Sequence, residues 1–322
     1  MDNVLVTGGA GFIGSHLVAT LVEEGHRVRV LDSFETGKRE NVAPWRADIE
    51  LVEGDIRDLA TCKKACAGVD IVFHQAALPS VPRSVAEPLK SFEITLGGTN
   101  TLLVAAREAG VRRVVQASSS SVYGDQPTLP KHEGMPPAPR SPYAAHKLGA
   151  EQLGVAFAAS MGIEVVALRY FNVFGPRQDP TSQYAAVVPK FIVSCLQGER
   201  PTIYGDGEQS RDFTYVANVV DANLRAAHAP AKVSGCVYNV ACGERVTVNE
   251  LFHMIRGATG AMAIEPIYVA TRAGDVKHSL AAIDAARQDL GYEPRVSLRD
   301  GLEKTVAAYR DRLVASRGGK SS

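Results

Sequence analysis

The stretch Thr7-Gly8-Gly9-Ala10-Gly11-Phe12-Ile13-Gly14 decides the fold. It follows the apolar run Val4-Leu5-Val6 and opens a segment, Ile13 to Glu24, with helical patterning. A strand that turns through glycines into a helix lets the backbone approach a pyrophosphate, which then rests on the positive N-terminus of that helix. The glycines fit two overlapping patterns, Gly8-x-x-Gly11-x-x-Gly14 and Gly9-x-Gly11-x-x-Gly14. Alone, such a cluster is explained equally well by a tight turn with no ligand. Context changes this. Val28-Arg29-Val30-Leu31 forms a second strand ending on Asp32, near the roughly 20-residue spacing at which a carboxylate accepts both adenosine ribose hydroxyls. Its charge repels a 2′-phosphate, so NAD is expected rather than NADP. Lys38 and Arg39 read as solvated loop charges.

Outward from this turn, short apolar runs continue at Ile71-Val72-Phe73, Val114-Val115 and Glu164 to Leu168. Helical patterning fills the gaps, as in Gly98 to Ala109 and Tyr143 to Ser160. Alternating strands and helices predict an α/β chain, a Rossmann-like doubly wound parallel sheet covered on both faces. Asp55-Ile56 follows the third strand and is placed to hold the adenine; Asp55 could instead cap the helix near Asp58. His74-Gln75-Ala76-Ala77 ends the fourth strand, where Ala76 and Ala77 are small enough for a dinucleotide to pass close. His74 reads as a structural side chain.

After Phe174 the pattern changes. Gly175-Pro176-Arg177-Gln178-Asp179-Pro180 is a loop by its composition. Short mixed elements follow: a helix near Ala186 to Gln197, Pro201-Thr202-Ile203-Tyr204 before a Gly-Asp-Gly turn, and helices near Val248 to Arg256 and Leu298 to Leu313. The expected division is an NAD-binding domain over 1–174, a smaller mixed lobe over 175–316 with the chain recrossing between them, and a disordered tail over 317–322. No internal repeat is present.

Composition excludes more than it names. The chain has 322 residues, 35 Lys+Arg against 35 Asp+Glu, 45% hydrophobic and 22% charged residues. It can bury a large core. It lacks the basic excess of a nucleic-acid binder and the polybasic character of a membrane-surface protein. Cys62 and Cys66 stand four apart, which is not the Cys-x-x-Cys spacing of a zinc or redox site, so the five cysteines read as buried thiols and no metal is expected. No run reaches 18 apolar residues and no signal segment precedes Asn3, so a cytoplasmic protein with a small soluble ligand is expected.

The candidate chemistry lies in Ser141-Pro142-Tyr143-Ala144-Ala145-His146-Lys147. Pro142 suits a first helical turn, so Tyr143 and Lys147 share one face. An ammonium beside a phenol favours the phenolate, giving a base able to take a hydroxyl proton near neutral pH. Any amphipathic helix can carry such a pair. Ala117-Ser118-Ser119-Ser120-Ser121-Val122-Tyr123-Gly124 adds to it by closing the fifth strand at the carboxyl edge, where open sheets bind ligands. Ser119 there can relay the proton to Tyr143.

With these motifs on the page, the chain resembles the extended short-chain dehydrogenase/reductases, and among them the nucleotide-sugar epimerases. The resemblance rests on Thr7 to Gly14, Asp32, Ser119 to Gly124, Tyr143, Lys147, Arg169 to Pro176, Gly205-Asp206-Gly207, Arg211-Asp212-Phe213 and Arg272 to Asp275. It implies tightly held NAD contacted by Gly8, Gly11, Phe12, Ile13, Gly14, Asp32, Asp55, Ile56, Ala76, Ala77, Tyr143, Lys147 and Tyr170. It also implies a UDP- or dTDP-sugar gripped by the second lobe, and a homodimer built from two helices per subunit. Asn172, Arg211 and Arg272 would meet the diphosphate and Asp275 the uridine ribose, while Tyr204 packs or binds.

Relatives of this type share an oxidation at the sugar C4 and then diverge. The dehydratases carry an Asp-Glu pair just after the catalytic Ser/Thr, and the decarboxylases a Glu; Ser120-Ser121-Val122 has no carboxylate. Epimerisation needs only what is present. In the cycle this implies, Tyr143 removes the C4-hydroxyl proton with help from Ser119, the C4 hydrogen passes as hydride to NAD, the 4-keto sugar turns over, and hydride returns to the other face. Ser279 stands where epimerases restricted to plain hexoses carry Tyr, so a 2-acetamido group has room. Ser120, Gln178, Ala186 and Val187 complete the expected pocket, with Pro79 in place of a frequent glycine. UDP-GlcNAc/UDP-GalNAc is expected, and UDP-glucose/UDP-galactose with it. The alternatives are a UDP-glucuronate 4-epimerase, another nucleotide-sugar oxidoreductase, and a non-catalytic NAD sensor.

Overall fold

In the computed structural model, residues 1–180, 186–271 and 277–318 are described, 315–318 by their backbone alone. Asn3–Thr7 (β1), Arg27–Asp32 (β2), Ile49–Glu53 (β3), Ile71–His74 (β4), Arg113–Ser119 (β5) and Glu164–Tyr170 (β6) join strand Val237–Val240 in a seven-stranded sheet. From one edge the order is Val237–Val240, β6, β5, β4, β1, β2, β3, and every pairing is parallel. Parallel strands are covered on both faces, which is why they read as near-continuous apolar runs.

Side chains alternate between the two faces. Val4, Val6, Val28 and Val30 pack with helix α1 (Phe12–Glu23) in one core. Leu5, Leu31 and Val72 pack with α2 (Leu59–Cys66), α5 (Gly98–Glu108) and α6 (Pro142–Ser160) in the other. Between β4 and α5 run two short helices, α3 (Val81–Ala86) and α4 (Pro88–Phe92). The N-terminus of α6 is set as its residue types dictate: Pro142 occupies the first turn and Ser141 Oγ accepts from Ala144 N at 3.2 Å.

A third core holds the smaller lobe: Phe174, Phe191, Phe213, Leu251, Phe252 and Tyr309 pack where α7 (Val187–Gln197), α9 (Val248–Thr259) and α11 (Leu298–Gly318) meet. Two short ribbons stand beside it, Thr202–Tyr204 with Ile267–Val269 and Ser210–Arg211 with Val246–Thr247. Residues beyond 174 also complete the sheet. Strand Val237–Val240 pairs with β6, and α8 (Val216–His228) buries Val219, Ala222 and Ala226 in the α1 core; α10 (Asp284–Leu290) adds Ala286 and Leu290.

The strand after Gly162 runs on from Leu168 to Tyr170 because it is paired on both sides. The last helix passes Leu313 and is described as far as Gly318, so Arg317 and Gly318 are helical. Residues 319–322 lie outside the described residues. Among the described residues no helix is long and apolar enough to cross a membrane.

The tightest point of the fold is the first turn. A Cβ on Gly14 would lie 2.1 Å from Gly8 O, a backbone atom that cannot swing aside. Gly14→Ala is therefore expected to destabilise the protein by about 1–3 kcal/mol or more, read as a lowered melting temperature. A variant melting like the parent would show that the turn can open.

Candidate active site

The carboxyl ends of the strands open into a cavity of about 720 Å³. It lies where open sheets of this topology bind ligands, with β1 and β4 adjacent at the point where strand order reverses. At one end is the glycine turn. Gly8 has φ +67°, and a Cβ on it would lie 2.8 Å from Ala76 N. The turn is tied down by Gly8 N to Leu31 O at 2.8 Å and Gly11 N to Gly8 O at 3.0 Å. Gly11 caps α1 without a side-chain hydrogen bond, so the first-turn amides remain available to an anion.

Asp32 lies at the tip of β2. Its carboxylate accepts from Ala10 N at 2.9 Å and Phe34 N at 2.8 Å. Burial pushes its pKa up while these two amides pull it down. Two bonds leave a carboxylate with acceptor capacity for a sugar diol. The following loop folds over it, and a Cβ on Gly37 would lie 2.6 Å from Asp32 Oδ1. Lys38 is not a solvated charge: it lines the cavity with its Nζ 3.3 Å from Asp179 of the second lobe, because the loop that clasps Asp32 carries it inward. Arg39 does face solvent, paired with Glu53 at 2.7 Å.

Asp55, Ile56, Ala76 and Ala77 line the same cavity. Asp55 is held by Arg57 at 2.7 Å, and the cap of α2 is Asp58, which accepts from Ala60 N and Thr61 N. His74 is structural: Nδ1 stands 2.7 Å from Thr7 Oγ1 and Nε2 2.9 Å from Thr99 Oγ1. Burial, with Lys147 nearby, drives its pKa down to about 3. Because Thr99 donates its own hydrogen to Thr95 O, it accepts from Nε2–H, and Nδ1 accepts from Thr7.

Tyr143 and Lys147 line the cavity from α6. The Tyr143 hydroxyl is hydrogen-bonded with Ser119, and Ser119 Oγ also accepts from Ser121 Oγ at 2.9 Å. Lys147 Nζ donates to Ala117 O at 2.9 Å. The expected lowering of the phenol pKa is not found. Burial raises it against the pull of Ser119, and burial likewise lowers Lys147 to about 8. Tyr170 lines the cavity and its hydroxyl accepts from Asn223 Nδ2 at 2.9 Å.

Of the substrate candidates, Pro79, Gln178 and Ala186 line this cavity, with Val187 opening α7 beside them. Ser120 starts a 3-10 turn and does not line it. Asn172, in a left-handed conformation at φ +34°, gives its Nδ2 to Asp212 O at 2.9 Å. Arg211, on its ribbon, donates to Ser210 O and Lys277 O, and Ser279 N donates to Ser210 O, so these positions cluster around Ser210 and are not among the described residues that line the cavity. Tyr204 is largely exposed on the neighbouring ribbon. Arg272 and Asp275 lie outside the described residues.

Two contributors carry no signal in the sequence. Ser84 Oγ accepts from Tyr143 N at 2.9 Å and so seats the first turn of α6. Glu35 lines the cavity and pairs with Lys90 at 2.6 Å and with Arg83 at 3.5 Å. Both come from a loop or a short helix with no periodic signal.

The chain resembles known proteins over nearly its whole length. Residues 4–241 match the model of the NAD dependent epimerase/dehydratase family. The chain is 41% identical to a UDP-glucose 4-epimerase of Mycolicibacterium smegmatis, over 96% of this chain and 98% of the relative. It is 35% identical to UDP-glucuronic acid decarboxylase 1 of Xenopus tropicalis, over 96% of this chain and 72% of that one. A solved UDP-N-acetylglucosamine 4-epimerase from Methanobrevibacter ruminantium M1, in complex with UDP-N-acetylmuramic acid, is 42% identical and superposes with a TM-score of 0.92, covering 97% of this chain and 99% of that one. By its family match and by identity across nearly its whole length, this chain belongs to the NAD dependent epimerase/dehydratase family.

Proposed function

We propose that this protein is an NAD-dependent UDP-sugar 4-epimerase that interconverts UDP-GlcNAc and UDP-GalNAc and also accepts UDP-glucose and UDP-galactose. The observation that carries the reading is a single cavity with the glycine turn and Asp32 at one end and Tyr143 and Lys147 at the other. The turn fits NAD: Gly8 and Gly14 leave no room for a Cβ, α1 lacks a side-chain cap, and Asp32 retains acceptor capacity. When bound, NAD supplies a hydride acceptor and donor, so no net oxidation results.

The chain's own residues move the proton. Tyr143 takes it from the C4 hydroxyl and gives it back, with Ser119 as relay. Lys147, one turn along the same face, is the cation that favours the phenolate. Elimination or decarboxylation would call for a carboxylate beside Ser119, and Ser120-Ser121-Val122 carries none. Ser279 and Ala186 are small, which supports room for a 2-acetamido group. Asn172, Arg211 and Arg272 are assigned to the diphosphate and Asp275 to the uridine ribose. Arginine suits a phosphate through its fork of charged donors. Val85, Leu89 and Phe92 are exposed apolar residues on α3 and α4, and they support the expected homodimer.

Three measurements test this reading. Purified protein incubated with UDP-GlcNAc, UDP-glucose or UDP-glucuronate should yield the C4 epimers of the first two, with NAD released on denaturation. Tyr143→Phe should slow turnover by roughly 100-fold or more. No C4 epimer, or a dehydrated or decarboxylated product, would overturn it.

The second concerns Lys147. Its folded pKa, about 8, lies below the ordinary lysine value, so the NAD-free folded protein carries this charge at a cost below pH 8. The cost fades as pH rises from 8 towards the unfolded value. Lys147→Met should therefore be inactive yet more stable than the parent at pH 7, by about 1–3 kcal/mol, with the difference closing near pH 10. Equal stability at both pH values would contradict this. Third, Leu89→Glu should turn the dimer into a monomer in light scattering, and an unchanged mass would place the interface elsewhere.

A further inference from the structure

The functional face of α6 does not end at Lys147. Tyr143, Lys147 and Glu151 recur at every fourth residue, and each holds one of three successive residues at the end of β5. Tyr143 is bonded with Ser119, Lys147 Nζ donates to Ala117 O at 2.9 Å, and Ser118 Oγ donates to Glu151 Oε2 at 2.6 Å. Ser118 also lines the cavity.

Glu151 is 1% exposed. Its other bonds come from Arg169 of β6, Nε at 2.9 Å and NH2 at 2.7 Å, and from Gln152 Nε2 at a longer 3.5 Å. Arg169 is itself buried, lies over the Tyr123 ring at 4.7 Å, and keeps NH1 without a hydrogen-bond partner. An ion pair sunk this deep, with one donor unsatisfied, is a weak device for stability, because apolar residues of similar volume often serve as well. What apolar residues cannot do is hold the Ser118 hydroxyl. The pair fixes the strand end that presents Ser119 and the Ala117 carbonyl to Tyr143 and Lys147.

We propose that Glu151, oriented by Arg169, is a positioning residue for proton transfer, acting through Ser118 on the placement of Ser119 and Lys147. This rests on the epimerase reading above. The test compares kcat and KM for UDP-glucose in the wild-type holoenzyme and in Ser118→Ala, Ser118→Thr, Glu151→Gln and the Ser118→Ala/Glu151→Gln double variant.

Ser118→Ala should lower kcat roughly tenfold with KM within about threefold, NAD content kept and melting little changed. Ser118→Thr, which retains the hydroxyl, should recover most of the rate. The double variant should be no slower than Glu151→Gln alone, since both remove one interaction. If Glu151→Gln does not fold, the Ser118 pair still decides. A wild-type kcat in Ser118→Ala, a loss confined to KM, or no recovery in Ser118→Thr overturns the proposal. Absence of any C4 epimer from the wild type fails the epimerase reading instead, so the two failures are told apart.

Discussion

The close approach of α1 to the end of β1 is the constraint on which the rest of the structure depends. Gly14 sits so near the Gly8 carbonyl that any side chain would collide with backbone. That contact drives the N-terminus of α1 into the carboxyl edge of the sheet, with its first-turn amides unpaired by any side chain. Gly8 N bonded to Leu31 O then ties the turn to β2, and Asp32 reaches back to Ala10 N. A few hydrogen bonds around one pair of glycines thus bring an anion site and a carboxylate together in the same groove.

Desolvation governs the other end of the cavity. Lys147 and Tyr143 are buried enough that each is pushed towards its neutral form, and His74 beneath them is held neutral outright. Burial thus sets the direction of all three, raising the phenol and lowering the lysine and the histidine. Glu151 and Arg169 are the compensated counterpart, two charges whose mutual bonds fix geometry rather than add stability. The zero net charge of the chain conceals this local arrangement entirely.

The fold was legible to the extent that it is periodic. Runs such as Val4-Leu5-Val6 and the helix after Ser141-Pro142 obey local rules of burial and capping, and the structure has them where those rules put them. The fate of Lys38 was not legible, because its loop is drawn over Asp32 by Gly37 and meets Asp179 from a distant part of the chain. Ser84, which seats Tyr143, lies in a six-residue helix whose position depends on packing alone.

By itself, the sequence determined the alternation of strands and helices, the glycine turn, and the pairing of Tyr143 with Lys147 on one face, since each follows from steric and hydrogen-bonding preferences over a few neighbouring residues. Only the tertiary structure decided that strand Val237–Val240 closes the sheet edge beside β6 and that Glu151 meets both Ser118 and Arg169. It also decided that burial pushes the Tyr143 phenol up. Those outcomes depend on which segments exclude water from one another, and exclusion of water is a property of the packed chain, not of any short stretch of it.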